Sequence, residues 1–181
     1  MNKPLCFWGR MCMILLLLTP SVRDFCIGQE TTLGAARFDL LDGTHCSLDS
    51  SIAHRCVLMV NRNPQCHACE ESLYDFLGTL SPSNASLYII YCDVADNMTR
   101  REMQARAMRA VPRVHKVLFI SGEEFMVHLG TPIEMESPCI ILYDNRVGSA
   151  TIISGEKLFT DDYRASVIRT SVQKTVRRFA R

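Results

Sequence analysis

Between residues 56 and 80 an apolar run, a pair of cysteines two residues apart and a helical repeat follow one another. This succession restricts the fold more than anything else in the chain. Cys56-Val57-Leu58-Met59-Val60 is apolar at every position, as a strand covered on both faces requires. After Asn61-Arg62-Asn63-Pro64-Gln65 comes Cys66-His67-Ala68-Cys69. From Glu70 onward Leu73, Phe76, Leu77 and Leu80 recur at helical spacing, so an amphipathic helix is expected up to Ser81-Pro82-Ser83. The cysteine pair therefore falls where a buried strand ends and a helix begins.

That position has chemical consequences. A thiol acts as a nucleophile only as its thiolate, which a free cysteine populates to about 3% at neutral pH. Unpaired backbone N–H groups and the positive dipole end at a helix start stabilise the anion, and a protonated His67 adds to this. Together these could lower the thiol pKa by about two pH units, or roughly 2.7 kcal/mol. Two intervening residues let the second sulfur reach the first, so Cys66 is expected to attack and Cys69 to resolve. Haem attachment is excluded locally, because Glu70 stands where the axial histidine belongs. A structural zinc site needs a second pair at defined spacing, and His45 with Cys46 or His54 with Cys56 does not supply one. A plain structural disulfide, bracing a module that only binds partners, is the remaining reading of the pair.

The rest of the chain alternates in the same manner. Leu87 to Val94 reads as a second buried strand. Thr99 to Val111 reads as a helix with Met103, Ala107, Ala110 and Val111 inward, Arg100, Arg101, Arg106 and Arg109 outward, and Pro112 as its stop. Val114 to Ile120 and Glu124 to Leu129 alternate as a β-hairpin around Ser121-Gly122. Cys139 to Tyr143 is a third buried strand introduced by Pro138, Ala150 to Ile153 a further one, and Thr160 with Asp161 and Asp162 opens a last helix ending near Arg178. Phe38 to Thr44 is a short strand entering an Asp-Gly turn, and Gln29 to Ala36 reads as a loose leader. The order implies an α/β fold, a central sheet with helices on both faces and an inserted hairpin.

At the N-terminus, Lys3 and Arg10 precede the eight-residue apolar stretch Met11–Leu18, which is the pattern of a secretory signal and too short to span a bilayer. Thr19-Pro20-Ser21 and Cys26-Ile27-Gly28 both offer cleavage points, and cleavage after Gly28 is preferred. The expected organisation is a signal peptide over 1–28 and one domain over 29–181, periplasmic or secreted; an uncleaved signal would instead anchor the chain in the membrane. Cys26 lacks the small residue before it that a lipoprotein signal needs. Of nine cysteines, Cys46, Cys56, Cys66, Cys69, Cys92 and Cys139 remain after the signal, in a compartment where disulfides persist. The formal net charge of +1 argues against a nucleic-acid partner, since a polyanion-binding face should unbalance the total.

Three stretches carry a resemblance: Phe38-Asp39-Leu40-Leu41-Asp42-Gly43 through Leu48, Val57–Asn61 leading to Cys66-His67-Ala68-Cys69, and Pro138-Cys139-Ile140-Ile141-Leu142-Tyr143-Asp144. With them the sequence resembles the thioredoxin superfamily, and its extracytoplasmic TlpA-like branch in particular. The resemblance implies a thioredoxin-like fold and a thiol–disulfide oxidoreductase without cofactor. It also implies a cis Ser137–Pro138 bond against the cysteines, where backbone pairs with a substrate strand. Its partners would be cysteine-containing exported proteins and a redox protein for recycling, with reduction or isomerisation favoured over oxidation. The sequence departs from the family at Gln65, where a tryptophan is usual, and in having no buried acid in the strand before the motif. His67 and Cys139 are candidates to tune the pair, although a buried, inert Cys139 is the simpler expectation. Cys92 reads as a core thiol, and Cys46 and Cys56 could bridge each other. His115 and His128, read as solvent-facing strand residues, sustain an alternative from another class: a copper chaperone using Cys66, Cys69 and a histidine. Asn84-Ala85-Ser86 and Asn97-Met98-Thr99 are glycosylation sequons, meaningful in a eukaryotic secretory pathway. No peroxidatic Thr-x-x-Cys is present, which disfavours a peroxidase. The basic end of the last helix, Lys174, Arg177, Arg178 and Arg181, complements the helix dipole.

Overall fold

The apolar runs become the centre of one mixed sheet in a computed structural model that describes residues 26–50, 54–62, 67–80, 84–130, 138–155 and 163–181. Its strands are β1 (Cys26–Glu30), β2 (Phe38–Asp39), β3 (His45–Cys46), β4 (Arg55–Asn61), β5 (Ser86–Cys92), β6 (Lys116–Ile120), β7 (Cys139–Asp144) and β8 (Ser149–Ser154). They lie in the order β1-β8-β7-β4-β5-β6-β2-β3. Among the described residues four α-helices accompany them: α1 (His67–Gly78), α2 (Asn97–Ala110), α3 (Gly122–Leu129) and α4 (Tyr163–Phe179). β4, β5 and β6 are parallel because α1 and α2 carry the chain back between them, and β7 then runs antiparallel to β4.

Alternation along the central strands divides the core in two. Val57, Met59 and Tyr91 face Leu73 and Leu77 of α1, Met103 and Ala107 of α2, and Val172 and Val176 of α4. Leu58, Val60 and Ile90 face the other way, against Phe125 and Leu129 of α3 and the N-terminal Leu33, Ala36 and Phe38. Both faces of β4 are covered, which is why no polar residue interrupts Cys56–Val60. Register then gathers one set of strand ends. Val60 pairs with both Ile90 and Cys139, Asn61 with Tyr91, and Cys92 with Ile120. The C-terminal ends of β4, β5 and β6 and the start of β7 thus share one sheet edge, and α1 begins there.

Several expectations are corrected. The segment expected as the second arm of a hairpin is helix α3. Local signals outweigh the apparent alternation: Ser121 Oγ accepts from Glu124 N at 3.1 Å, Glu123 and Glu124 occupy the first turn, and Gly130 closes the helix at φ 76°. Phe125 and Leu129, four residues apart, are the face it buries. Gln29–Ala36 is not a loose leader. Gln29 and Glu30 pair with Ala150 and Ser149 in β8, and Leu33 and Ala36 are fully buried. Ala110 is exposed, whereas Arg100 and Arg106 turn partly inward. Arg100 Nε donates to Val94 O at 2.7 Å with its guanidinium 5.0 Å from the Phe119 ring centroid. Cys46 and Cys56 do not bridge each other, because β3 is four strands away from β4, about 19 Å at ordinary strand spacing.

Candidate active site

α1 opens at His67, one residue after Cys66, so the helix start falls where the sequence expects it. Cys66 and Ser137 lie outside the described residues, and with them the peptide bond expected to be cis; of His67 and Cys69 the backbone is described, in the first turn of α1. Pro138 is buried and leads directly into Cys139, which pairs with Val60. The proline thus stands one residue before the register partner of Val60, at the edge where β4 hands over to the motif.

Cys139 and Cys92 occupy the opposite face from α1, both buried and neither in a disulfide. Burial pushes each thiol up to about 12, with a neighbouring negative group adding to the effect and Arg62 opposing it. Neither holds a thiolate near neutral pH, which suits inert core cysteines. The histidines considered as a third copper ligand are elsewhere. His115 N donates to Leu87 O just before β6 begins, and Thr32 N donates to the His128 carbonyl. Thr31 in turn bonds Gly148 in the β7–β8 turn, so both histidines belong to the sheet edge opposite the motif. The seven residues of β4 separate the two edges by about 20 Å. His128 also lies on a helix and is only part-exposed. Among the described residues no group of three or more His, Cys, Asp and Glu side chains is placed to hold a metal ion. A cleft of about 500 Å³ lined by Leu40, Arg101, Met108, His115 and Lys116 also opens away from the motif edge.

The feature that sequence reasoning passed over is Glu70, directly after Cys69 and 1% exposed. An isolated buried carboxylate costs several kcal/mol, so it needs donors. Tyr74 Oη donates to Glu70 Oε1 at 2.6 Å and Tyr91 Oη donates to the same oxygen at 2.5 Å. Arg106 Nη2 lies 3.3 Å from Oε2. The two phenol oxygens also touch each other, and the Tyr91 ring stacks on Phe119 with centroids 5.9 Å apart. Burial foremost, then the neighbouring carboxylate, raises the Tyr74 hydroxyl well above its ordinary value; burial likewise dominates at Tyr91. One carboxylate thus ties the first turn of α1 to β5 and to α2, and fixes where Cys69 sits. A partial signal was present: Glu70 and Tyr74 are four apart on one helix face. Tyr91 and Arg106 are brought in only by the fold.

No protein-family model matches the sequence, and no curated protein matches it. Solved structures do. The bacterioferritin comigratory protein of Xanthomonas campestris superposes with a TM-score of 0.56 at 11% identity, over 83% of this chain and 95% of its own. The pneumococcal exposed lipoprotein thioredoxin of Streptococcus pneumoniae gives 0.52 at 11% identity, over 78% and 97%. The fold is thioredoxin-like. A thioredoxin-like protein of Bacteroides caccae gives 0.48 at 15% identity over 83% of this chain, which spans about half of that protein's length, 47%.

Proposed function

We propose that the protein is an exported thiol–disulfide oxidoreductase that exchanges disulfides in protein substrates through Cys66 and Cys69. The observation that supports this reading is that α1, whose first turn holds Cys69, follows the C-terminal end of β4, where Val60 pairs with Cys139 directly after buried Pro138. In the step proposed, the Cys66 thiolate attacks a substrate disulfide, forming a mixed disulfide and releasing one substrate thiolate, which takes a proton. Cys69, losing its proton, then attacks the Cys66 sulfur and releases the second substrate thiol. Two electrons pass to the substrate, and the Cys66–Cys69 disulfide left behind is reduced again by a dithiol redox protein. Reduction or isomerisation is the preferred direction. Titrating alkylation of the full chain tests the reading: one thiol should react well below pH 8.5, near which a free cysteine titrates. That reactivity should vanish in Cys66→Ser, together with turnover of an insulin disulfide. Two thiols of ordinary pKa and no insulin reduction would refute it.

A further inference from the structure

The near-neutral total of this chain hides a separation of charge. Tyr163–Arg181 contains six arginines and lysines and no aspartate or glutamate. Val172 and Val176 of α4 are buried against the sheet, and Lys174, Arg177, Arg178 and Arg181 are exposed. Complementing the helix dipole does not account for four cations: the C-terminal end carries only about half a negative charge, felt within the last turn. The end of α4 is fixed at the sheet edge opposite the motif, since Asn84 N donates to Ala180 O at 3.2 Å just before β5. A second element joins it there. The Arg55 guanidinium lies 5.7 Å from the Phe179 ring centroid and 3.4 Å from Asp144 Oδ2, which also accepts from Arg146 Nη2 at 3.0 Å. This chain of contacts sets the β7–β8 turn beside the end of α4, and that turn presents Arg146 at 52% exposure and Val147 at 68%. Of the acids at this edge, Asp144 is held between Arg55 and Arg146, and exposed Glu30 pairs through its backbone with Ser149 at the far end of the turn, leaving the cations in excess.

We propose that this edge, with Lys174, Arg177, Arg178, Arg181 and Arg146 around the apolar tip Val147, docks on an anionic lipid surface. Cations about an exposed aliphatic side chain match a bilayer interface, where headgroup charge and acyl boundary adjoin. A nucleic-acid backbone would use the cations and gain nothing from Val147. Docking there turns the C-x-x-C edge away from the membrane by the length of β4, about 20 Å, and leaves it open to substrates. The inference goes beyond the redox reading and does not depend on it.

The test is co-sedimentation of the full chain with vesicles of phosphatidylcholine mixed with phosphatidylglycerol, and of phosphatidylcholine alone, at low and high salt. Binding should require the anionic lipid and fall at high salt. Each cation near such a surface contributes about fivefold, so Arg177→Glu combined with Arg178→Glu should weaken binding by about thirtyfold or more. Val147→Asp should weaken it as well, and alkylation at Cys66 should be unchanged in both variants. If the double variant loses its folded circular dichroism, Lys174→Glu is read in its place. Equal binding to neutral vesicles, or full binding by the charge variants, overturns the proposal. So does tighter binding to a short DNA duplex that is insensitive to Val147→Asp, which would assign the face to a nucleic-acid backbone.

Discussion

Replacing Glu70 by glutamine is the perturbation that most directly examines how the first turn of α1 is held. The glutamine keeps the volume and one carbonyl oxygen for the Tyr74 and Tyr91 hydroxyls, but its amide group faces Arg106 with donor against donor. A hydrogen bond to a charged group is worth about 1.5–3 kcal/mol and a neutral one about 0.5–1.5, so the two phenols together lose about 2 kcal/mol. The Arg106 side chain, 35% exposed, can swing toward water, which keeps its share to about 1 kcal/mol or less. The expected loss is therefore about 2–3 kcal/mol, a large part of the stability of a single domain. Removing one phenol with Tyr91→Phe should cost about 1.5–3 kcal/mol by the same reasoning, and the two changes should not add, since they share one bond. Urea unfolding measures this directly, with a midpoint lowered by about 1–2 M at an ordinary dependence on denaturant. If each single variant unfolds within about 0.5 kcal/mol of the parent, or the pair is strictly additive, the cluster does not hold the helix as argued.

Two further outcomes follow from the buried thiols and from β1. Burial in the folded protein pushes the Cys92 and Cys139 thiols up to about 12, well above the value near 8.5 of a free cysteine. Both are protonated in both states below about pH 8.5, so their contribution is fully present there. Above it the unfolded chain holds fewer protons and stability falls, by up to about 1.4 kcal/mol per pH unit for each thiol. Urea midpoints should decline from that point upward, with a shallower slope in Cys92→Val; a flat alkaline profile would contradict the assignment. As to processing, cleavage after Gly28 would remove three of the five residues of β1, which pair with Ile153, Ile152 and Thr151. If the N-terminal segment is a signal that is removed, cleavage near Ser21 would leave β1 whole, and a processed chain whose N-terminal sequence begins at Gln29 would exclude this.

Much of the architecture was legible because its elements are locally specified. Cys56–Val60 could only be a strand covered on both faces, and the repeat Leu73, Phe76, Leu77, Leu80 could only be a helix packed by one stripe. Where the reading failed, two local codes competed. Glu124–Leu129 alternates well enough for a strand, yet Ser121 and Gly130 cap it as a helix, and the capping residues were the better guide. The leader failed for another reason: nothing within Gln29–Ala36 shows that β8 and the sheet face will bury it.

The cysteine pair, its place at a strand-to-helix junction and the proline that introduces β7 are written in the order of residues, because spacing along the chain alone sets them. The Glu70 cluster and the basic edge are decided by tertiary structure. Tyr91 and Arg106 reach Glu70 from 21 and 36 positions away, and Arg146 reaches the end of α4 through Arg55 and Asp144. A net charge of +1 sums over the whole surface and records nothing of where each charge stands. Coulomb forces and desolvation act through space, so both features exist only once the sheet has set its strand order and register.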